Sequence, residues 1–212
     1  SICIGLRHVT ESGIFHKDLK PGNVMLRKDD GQPVIIDFGF AGRKSDKGVF
    51  IGTPAYASPE QLLGEEADQR SDIYALGVML YEMIIGAKGF RLDDFADINK
   101  LYEHKVNVGL APIKWGNELI EQVIGPSVQH LIDRLTAPDK NQRFQDYDEI
   151  IRTIEELTGK VAQLNASLAG MLSSPHTGSN PPISAIFANL SSTEMPTVAD
   201  AKTVTRQNPQ IG

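Results

Sequence analysis

The longest apolar segment of the chain is IYALGVMLYEMIIG, which runs from Ile73 to Gly86 and contains one charged residue, Glu82. A helix made from this segment is apolar on nearly every side, so it belongs in the interior of a protein. The segment is also shorter than the roughly 20 apolar residues that a membrane-spanning helix requires. We therefore expect a globular domain whose core contains this helix.

The apolar residues that can form that core lie in the first three quarters of the chain. The chain has 212 residues, of which 41% are hydrophobic, enough for one domain with a sizeable core. The segment 159–212 is rich in Ser, Thr, Pro, Asn and Gly and has one aromatic residue, Phe187. Such a segment buries too little apolar surface to offset its ordering entropy. We predict a folded domain over residues 1–158 and a mostly disordered tail or linker over residues 159–212.

Charge and cysteine content exclude several classes of protein. The formal net charge is -6, which argues against a nucleic-acid partner. Cys3 is the only cysteine, so neither an intrachain disulfide nor a cysteine-only metal site can form. The first residues lack the basic region and the sustained apolar stretch of a secretory signal peptide. We expect this segment to lie in the cytoplasm, and a membrane anchor elsewhere in a longer protein stays open.

The folded part is predicted to be mostly helical, with one β-hairpin near its start. Two short apolar runs, Val24 to Lys28 and Pro33 to Asp37, flank Asp29-Asp30-Gly31, which suits a hairpin turn. Apolar spacing and end signals predict four helices after the hairpin. They run from Ser71 to Ile85 with Ser71 or Asp72 as cap, from Leu92 to His104, from Pro126 to Thr136, and from Tyr147 to Thr158, the last ended by Gly159.

Polar residues cluster on both sides of the predicted hairpin. The loop before it, HKDLKPGN, places Asp18, Lys20 and Asn23 within six positions, and Asp37 follows the second strand. An aspartate can accept a hydroxyl proton, a lysine can neutralise phosphate charge, and an asparagine and a second aspartate can give oxygen ligands to Mg²⁺. Gly39 permits a sharp turn after that aspartate. Together these groups are the parts of in-line phosphoryl transfer.

Three motifs carry a resemblance to a known family. HKDLKPGN, His16 to Asn23, and DFG, Asp37 to Gly39, resemble the catalytic loop and the metal-binding motif of the protein kinases. GTPAYASPE, Gly52 to Glu60, resembles the end of a protein-kinase activation segment, where a peptide substrate docks. Kinase-like phosphotransferases of small molecules are not expected to carry this third motif. The KPGN form of the catalytic loop and the short activation segment are most similar to bacterial serine/threonine kinases of the eukaryotic type.

The resemblance implies a chemical role for each matched residue of the site. Asp18 would orient the substrate hydroxyl and accept its proton, and Lys20 would contact the transferring phosphoryl group. Asn23 and Asp37 would bind Mg²⁺ or Mn²⁺, with Asp37 on the ion that bridges the phosphates of ATP. Met25 would form the floor under adenine.

Structural roles are implied for a second group of matched residues. His16 and Phe38 would belong to the hydrophobic spine that links the two lobes of a kinase. Asp72 would hold the backbone of the catalytic loop from the start of the central helix. Glu60 would form a largely buried ion pair with Arg143.

The resemblance also implies roles in substrate choice and regulation for hydroxyl residues of the activation segment and of the tail. Thr53 would bond to the catalytic aspartate and lysine, as in the serine/threonine kinases. Ser45 lies where activating phosphorylation occurs in the family. Autophosphorylation of the tail would create sites for phosphothreonine-binding modules, whereas the simpler alternative is a passive linker. The tail threonines concerned are Thr197, Thr203 and Thr205.

The resemblance is confined to the C-terminal lobe of the kinase fold. The sequence has no GxGxxG loop and no Ala-x-Lys strand, the parts by which the N-terminal lobe contacts ATP. The implied fold is mainly α with a small β-hairpin, a protein-kinase-like C-terminal lobe (α+β) with the N-terminal lobe absent. We expect a partial serine/threonine-protein kinase, an ATP-dependent signalling transferase acting on Ser and Thr of protein substrates, that is inactive without its missing lobe. The alternative is a non-catalytic docking or scaffold module.

Overall fold

The structure is a computed structural model that describes residues 2–41, 50 and 52–172. Residues up to Gln163 form one compact unit, which contains every residue of the site discussed below. The described part is mainly helical with one two-stranded sheet, which confirms the predicted fold class. Along the chain its elements are α1 (Ile2–Glu11), a 3₁₀ turn (Pro21–Asn23), β1 (Val24–Leu26), β2 (Pro33–Ile35), α2 (Pro59–Leu62), α3 (Gln69–Ile85), a second 3₁₀ turn (Leu92–Asp94), α4 (Ile98–Asn107), α5 (Glu118–Val123), α6 (Gly125–Leu135) and α7 (Tyr147–Leu172).

The predicted central helix is α3. Every residue from Ser71 to Met79 is buried, as its all-round apolar sequence requires. Helices α1, α4, α6 and α7 supply apolar side chains to the core around it. Among the residues that the structure describes, no helix is both long and apolar enough to cross a bilayer. The members of the core that are at most 1% exposed include Leu6, Leu101, Leu135 and Ile150.

The cap of α3 differs from the prediction. The helix begins at Gln69, and its cap is Asp68, whose side chain accepts a hydrogen bond from the Arg70 backbone nitrogen at 2.8 Å. The predicted caps, Ser71 and Asp72, are wrong because both lie inside the first turn and make buried hydrogen bonds to other parts of the chain. At the other end, Gly86 stops the helix in a left-handed conformation.

Gly77 lies where α3 packs closely against the end of α6. A Cβ atom at this position would lie 2.6 Å from Cβ of Leu135 and 2.7 Å from Cγ2 of Thr136. We expect Gly77→Ala to lower the free energy of unfolding by about 1–3 kcal/mol, because the two helices would have to move apart. Urea unfolding of the purified protein measures this change.

Gly159 provides a matched control for that substitution. It also lies in a helix, α7, but a Cβ atom there would meet nothing within 4 Å. Gly159→Ala should raise the free energy of unfolding by up to about 1 kcal/mol, because alanine is the better helix former. Equal effects of Gly77→Ala and Gly159→Ala would contradict the close packing of α3 against α6.

The last helix is longer than the sequence predicts. Helix α7 runs from Tyr147 to Leu172, so the predicted helix end at Gly159 is wrong. A glycine inside a helix costs only about 1 kcal/mol, and the residues that follow, KVAQL, include good helix formers. The predicted tail therefore begins inside a helix, and its residues 173–212 lie outside the described part of the chain.

The hairpin is present with shorter strands than predicted. Its register pairs Val24 with Ile35, and Gly31 at the turn has a positive φ of 67°. The helix predicted over Leu92 to His104 is divided, because the Asp97 side chain caps a new helix by accepting a hydrogen bond from the Lys100 backbone nitrogen at 2.9 Å. The helix predicted over Pro126 to Thr136 is confirmed as α6. The short helices α2 and α5 were not predicted from the sequence.

Candidate active site

The loop between α1 and the first 3₁₀ turn is held by Asp72, which is buried on α3. Its carboxylate accepts hydrogen bonds from the backbone nitrogens of His16 and Lys17, both at 2.7 Å. Burial raises the pKa of Asp72 to about 6, although these backbone hydrogen bonds oppose the shift. Lys17 has a positive φ of 67°, an uncommon conformation for a residue with a side chain. The structure thus brings Asp72 to the loop, as predicted, and its bonds hold the loop in this conformation.

Gln61 also supports this loop. Its role was not predicted from the sequence. Its side-chain nitrogen donates to the Lys17 carbonyl at 2.8 Å, and its side-chain oxygen accepts from the Ser58 backbone nitrogen at 3.1 Å. Gln61 therefore ties α2 to the loop that contains Asp18. Its capping position three residues after Ser58 was a visible signal, but its bond to Lys17 spans 44 residues.

The His16 ring connects the loop to the second strand. Its Nδ1 accepts a hydrogen bond from the Asp18 backbone nitrogen at 3.3 Å, and its Nε2 lies 3.0 Å from the Ile36 carbonyl oxygen. With Nδ1 as the acceptor, Nε2 carries the proton and donates to that carbonyl. The ring also packs on Phe38 with 4.8 Å between the ring centroids. His16 and Phe38 are thus in contact, as their predicted structural roles require.

Asp18 lies at the centre of the polar cluster. Its side chain is 5% exposed, and its Oδ2 accepts a hydrogen bond from Nζ of Lys20 at 2.7 Å. The same Lys20 ammonium donates to the Thr53 hydroxyl at 2.8 Å. Asn23 donates to the Asp18 carbonyl at 2.8 Å and lies 3.4 Å from Oδ2. The structure therefore places three of the predicted residues, Lys20, Asn23 and Thr53, around the carboxylate of Asp18.

The two oxygens of the Asp18 carboxylate differ. Oδ1 is buried and forms no hydrogen bond with the residues that the structure describes. Burial acts to raise the pKa of Asp18, but the hydrogen bond from Lys20 and the charge of Lys20 hold the pKa below its ordinary value. The group is therefore an ionised carboxylate at neutral pH, with one oxygen directed by Lys20.

The two predicted metal ligands lie at the same end of the hairpin. The Asn23 carbonyl accepts a hydrogen bond from the Ile36 nitrogen at 2.9 Å, so Asn23 faces the end of the strand that Asp37 follows. The Asn23 side-chain nitrogen donates a hydrogen bond to the Asp18 carbonyl, and the Asn23 side-chain oxygen can therefore bind another partner. The exposed Asp37 carboxylate accepts only one hydrogen bond within the described residues, from the Gly39 nitrogen at 3.2 Å. Amide and carboxylate oxygens are the ligands that Mg²⁺ prefers, so these two residues fit a metal site.

Met25 is the predicted floor for adenine. It lies in β1 and is 52% exposed. An exposed methionine on a hairpin offers a flexible apolar side chain that can adapt to a planar base. Its predicted role stays a prediction.

The segment from Gly52 to Glu60 is attached to the cluster through its first two residues. Thr53 accepts the hydrogen bond from Lys20 described above. Gly52 has a φ of 131°, and a Cβ atom there would lie 3.2 Å from the Lys17 carbonyl oxygen. Only glycine fits this close approach without strain. Ser45, the predicted phosphorylation site in the preceding residues, lies outside the described residues.

The end of the segment is attached by a buried ion pair. Both terminal nitrogens of Arg143 donate to the Glu60 carboxylate at 2.7 Å. The Ser71 hydroxyl donates to the same carboxylate at 2.8 Å. Burial acts to raise the pKa of Glu60, but the bonds and the charge of Arg143 hold it below the ordinary value. The predicted pair of Glu60 and Arg143 is therefore present and buried.

Comparison with known proteins agrees with this geometry. The family model described as "Protein kinase domain" matches residues 1–154. A probable serine/threonine-protein kinase of Streptomyces coelicolor is 33% identical over 78% of this chain and 25% of its own length. Serine/threonine-protein kinase A of Synechocystis sp. is 36% identical over 70% of this chain and 29% of its own length. A probable serine/threonine-protein kinase of Corynebacterium efficiens is 42% identical over 74% of this chain and 24% of its own length.

The chain thus spans about a quarter of the length of these curated relatives. Among solved structures, the Cydia pomonella granulovirus kinase PK-1 has a similar fold, with a TM-score of 0.59 and 23% identity. This similarity covers 72% of the present chain and 54% of the viral one and concerns the fold alone. The family model covers well over half of the chain, and these bacterial relatives are all serine/threonine-protein kinases. The chain therefore belongs to the protein kinase family, in its eukaryotic-type serine/threonine branch.

Proposed function

We propose that this chain supplies the catalytic lobe of an enzyme that transfers the γ-phosphoryl group of ATP to Ser and Thr hydroxyls of proteins. The observation that carries this proposal is the environment of Asp18. Its carboxylate is buried, ionised and oriented by Lys20, and its Oδ1 forms no hydrogen bond with described residues. A docking module would not require a buried carboxylate held in this state.

Asp18 acts on the acceptor hydroxyl. The carboxylate accepts a hydrogen bond from the Ser or Thr hydroxyl and directs the hydroxyl oxygen towards the γ-phosphorus. As the new oxygen–phosphorus bond forms, the bond between the γ-phosphorus and the bridging oxygen of ATP breaks, ADP leaves, and the hydroxyl proton moves to the carboxylate. The bond from Lys20 to Oδ2 keeps the carboxylate from rotating while this happens.

Lys20 acts on the phosphoryl group. Its side chain is 31% exposed, so its ammonium is accessible to a bound ligand as well as to Asp18 and Thr53. A positive charge at this place stabilises the negative charge on the phosphoryl oxygens in the transition state. Because Lys20 bonds to Asp18 and Thr53 together, the charge is positioned before the substrates bind.

ATP and a divalent metal ion are the cofactors of this proposal. Asn23 and Asp37 would hold Mg²⁺ or Mn²⁺ through their side-chain oxygens, and the bound ion supplies charge neutralisation on the phosphates. The sequence has no glycine-rich loop, so we also propose that residues 1–212 alone transfer phosphate negligibly. The proposal includes a cytoplasmic location and recognition of the phosphorylated tail threonines by phosphothreonine-binding modules.

The direct test uses the full-length protein that contains this chain. It is incubated with Mg²⁺, with ATP labelled in its γ-phosphate and with casein as a protein acceptor, and the labelled amino acids are then separated. We expect label on serine and threonine and none on tyrosine. Labelled tyrosine would contradict the substrate class. A full-length protein that binds neither ATP nor Mg²⁺ and transfers no label would favour the docking module instead.

A further inference from the structure

Lys105 is a buried lysine that contacts the segment from Gly52 to Glu60. It lies on the inner face of α4, one turn after the buried Leu101, and is 1% exposed. Its ammonium donates to the Ala55 carbonyl at 2.8 Å and to the Ala57 carbonyl at 2.7 Å. One side chain of α4 therefore fixes the backbone on both sides of Tyr56.

The buried Lys105 ammonium is surrounded by backbone carbonyls and aromatic rings, without a carboxylate partner among the described residues. Within the described part of the chain it forms no ion pair, whereas the buried carboxylates of Asp18 and Glu60 each pair with a cation. Its ammonium lies instead over two aromatic faces, 4.2 Å from the centroid of Phe90 and 5.0 Å from that of Tyr74. Burial lowers the pKa of Lys105 well below its ordinary value, and the charge of Arg143 acts in the same direction.

An apolar residue would fill this place at a lower cost in free energy. A buried ammonium loses its hydration, and two carbonyls with two ring faces replace it only in part. A methionine or leucine would pack on Phe90 and Tyr74 without that cost, but it would not bond to the segment. The specific contribution of Lys105 is therefore a pair of directional hydrogen bonds, not apolar packing.

Those bonds hold the middle of a segment that is attached elsewhere at its ends. Thr53 is bonded to Lys20 next to Asp18, and Glu60 is bonded to Arg143. Between them, the Tyr56 hydroxyl donates to the Glu82 carboxylate at 2.8 Å, which holds the side chain of Tyr56. The backbone around Tyr56 is held by Lys105.

We propose that Lys105 is a positioning residue for the protein substrate, which fixes the backbone of residues 55–57 in the conformation that an acceptor peptide binds. This inference rests on the proposed function, because phosphoryl transfer to proteins is what makes the segment a peptide-docking surface. Lys105 lies outside the Asp18 cluster, so it acts on peptide binding and not on the transfer step.

The test compares three variants of the full-length protein. Lys105→Met keeps the length and the apolar stem but removes the donors, and Lys105→Arg keeps donors. Lys100→Met is the matched control, because Lys100 lies on the exposed side of α4 and its side chain bonds to Glu103 alone among the residues that the structure describes. We expect Lys105→Met to raise KM for the acceptor peptide about tenfold while kcat and KM for ATP change less than about twofold. Lys105→Arg should recover most of the peptide affinity, and Lys100→Met should match the unsubstituted protein.

Amide hydrogen exchange gives a readout that does not depend on activity. In Lys105→Met the amides of Tyr56 and Ala57, which bond to the Thr53 carbonyl, should exchange at least about tenfold faster, with no change in α7. If the unsubstituted protein transfers no phosphate, the proposed function fails, and exchange alone then decides whether Lys105 anchors the segment.

Two results would overturn the proposal. One is unchanged exchange at Tyr56 and Ala57 in Lys105→Met, and the other is faster exchange with an unchanged peptide KM. A loss of stability alone would lower the active fraction and so the apparent kcat, which leaves KM as the deciding quantity. Should Lys105→Met fail to fold, Lys105→Leu, which also lacks the donors, takes its place, and an unchanged peptide KM again overturns the proposal.

Discussion

Replacement of Arg143 by alanine should lower the free energy of unfolding by about 3–5 kcal/mol, because it leaves the buried carboxylate of Glu60 without its cation. The Arg143 side chain is fully buried, and both of its terminal nitrogens bond to Glu60 at 2.7 Å. The loss extends beyond the ion pair, because the guanidinium also donates to three backbone carbonyls. These carbonyls belong to Ala137, Arg70 and Pro138.

Arg7→Ala is the matched control for this prediction. Arg7 also pairs with an aspartate, Asp148, but both side chains are exposed to solvent, and exposed ion pairs contribute little. Urea unfolding should therefore separate the two arginine variants clearly. An Arg143→Ala protein as stable as Arg7→Ala would show that the pair of Glu60 and Arg143 does not stabilise the fold.

The pH dependence gives an independent check on the same pair. The folded-state pKa of Glu60 lies below its ordinary value of 4.5, so the unfolded chain binds this proton more readily. The stabilisation is therefore complete above that value and is lost as the pH falls through the folded-state pKa. Without Arg143, burial dominates and raises the pKa, so ionised Glu60 then destabilises the folded protein. The difference in free energy of unfolding between the unsubstituted protein and Arg143→Ala should thus shrink between about pH 7 and pH 4.

Asp18→Asn should lower kcat for phosphoryl transfer by about 10² to 10⁴. An amide has nearly the same shape as the carboxylate and can still accept the hydrogen bond from Lys20, but it cannot take up the hydroxyl proton. The substitution leaves the contacts of ATP and of the rest of the peptide in place and removes one hydrogen bond to the acceptor hydroxyl, so both KM values should change far less than kcat. Steady-state kinetics of the full-length protein with ATP and an acceptor peptide measure all three quantities.

Asp148→Asn serves as the control for Asp18→Asn. Asp148 is an exposed aspartate on α7 whose side chain accepts a hydrogen bond from Arg7 at 2.5 Å, so its replacement changes the net charge equally without touching the cluster. Its kcat should equal that of the unsubstituted protein. An Asp18→Asn variant that keeps more than about a tenth of kcat, with an unchanged melting temperature, would remove Asp18 from the chemistry.

The features that the sequence predicted correctly are those encoded by neighbouring residues. The burial of α3 follows from its all-round apolar sequence, and the hairpin follows from two apolar runs around Asp29-Asp30-Gly31. The cluster of Asp18, Lys20 and Asn23 is local too, because all three lie on one short loop. Pairing of Glu60 with Arg143 spans 83 residues, and the family resemblance, not the spacing, predicted it.

The sequence by itself determined the fold class, the buried central helix and the residue types of the site, because short-range patterns carry that information. Tertiary structure decided which of several competing local signals prevails. Asp68 rather than Ser71 caps α3, and α7 continues through Gly159. It also decided the bond of Gln61 to Lys17 and the bonds of Lys105 to Ala55 and Ala57, which join residues 44 or more positions apart along the chain. Such contacts form only when separate elements pack together, and no local pattern in the sequence marks them.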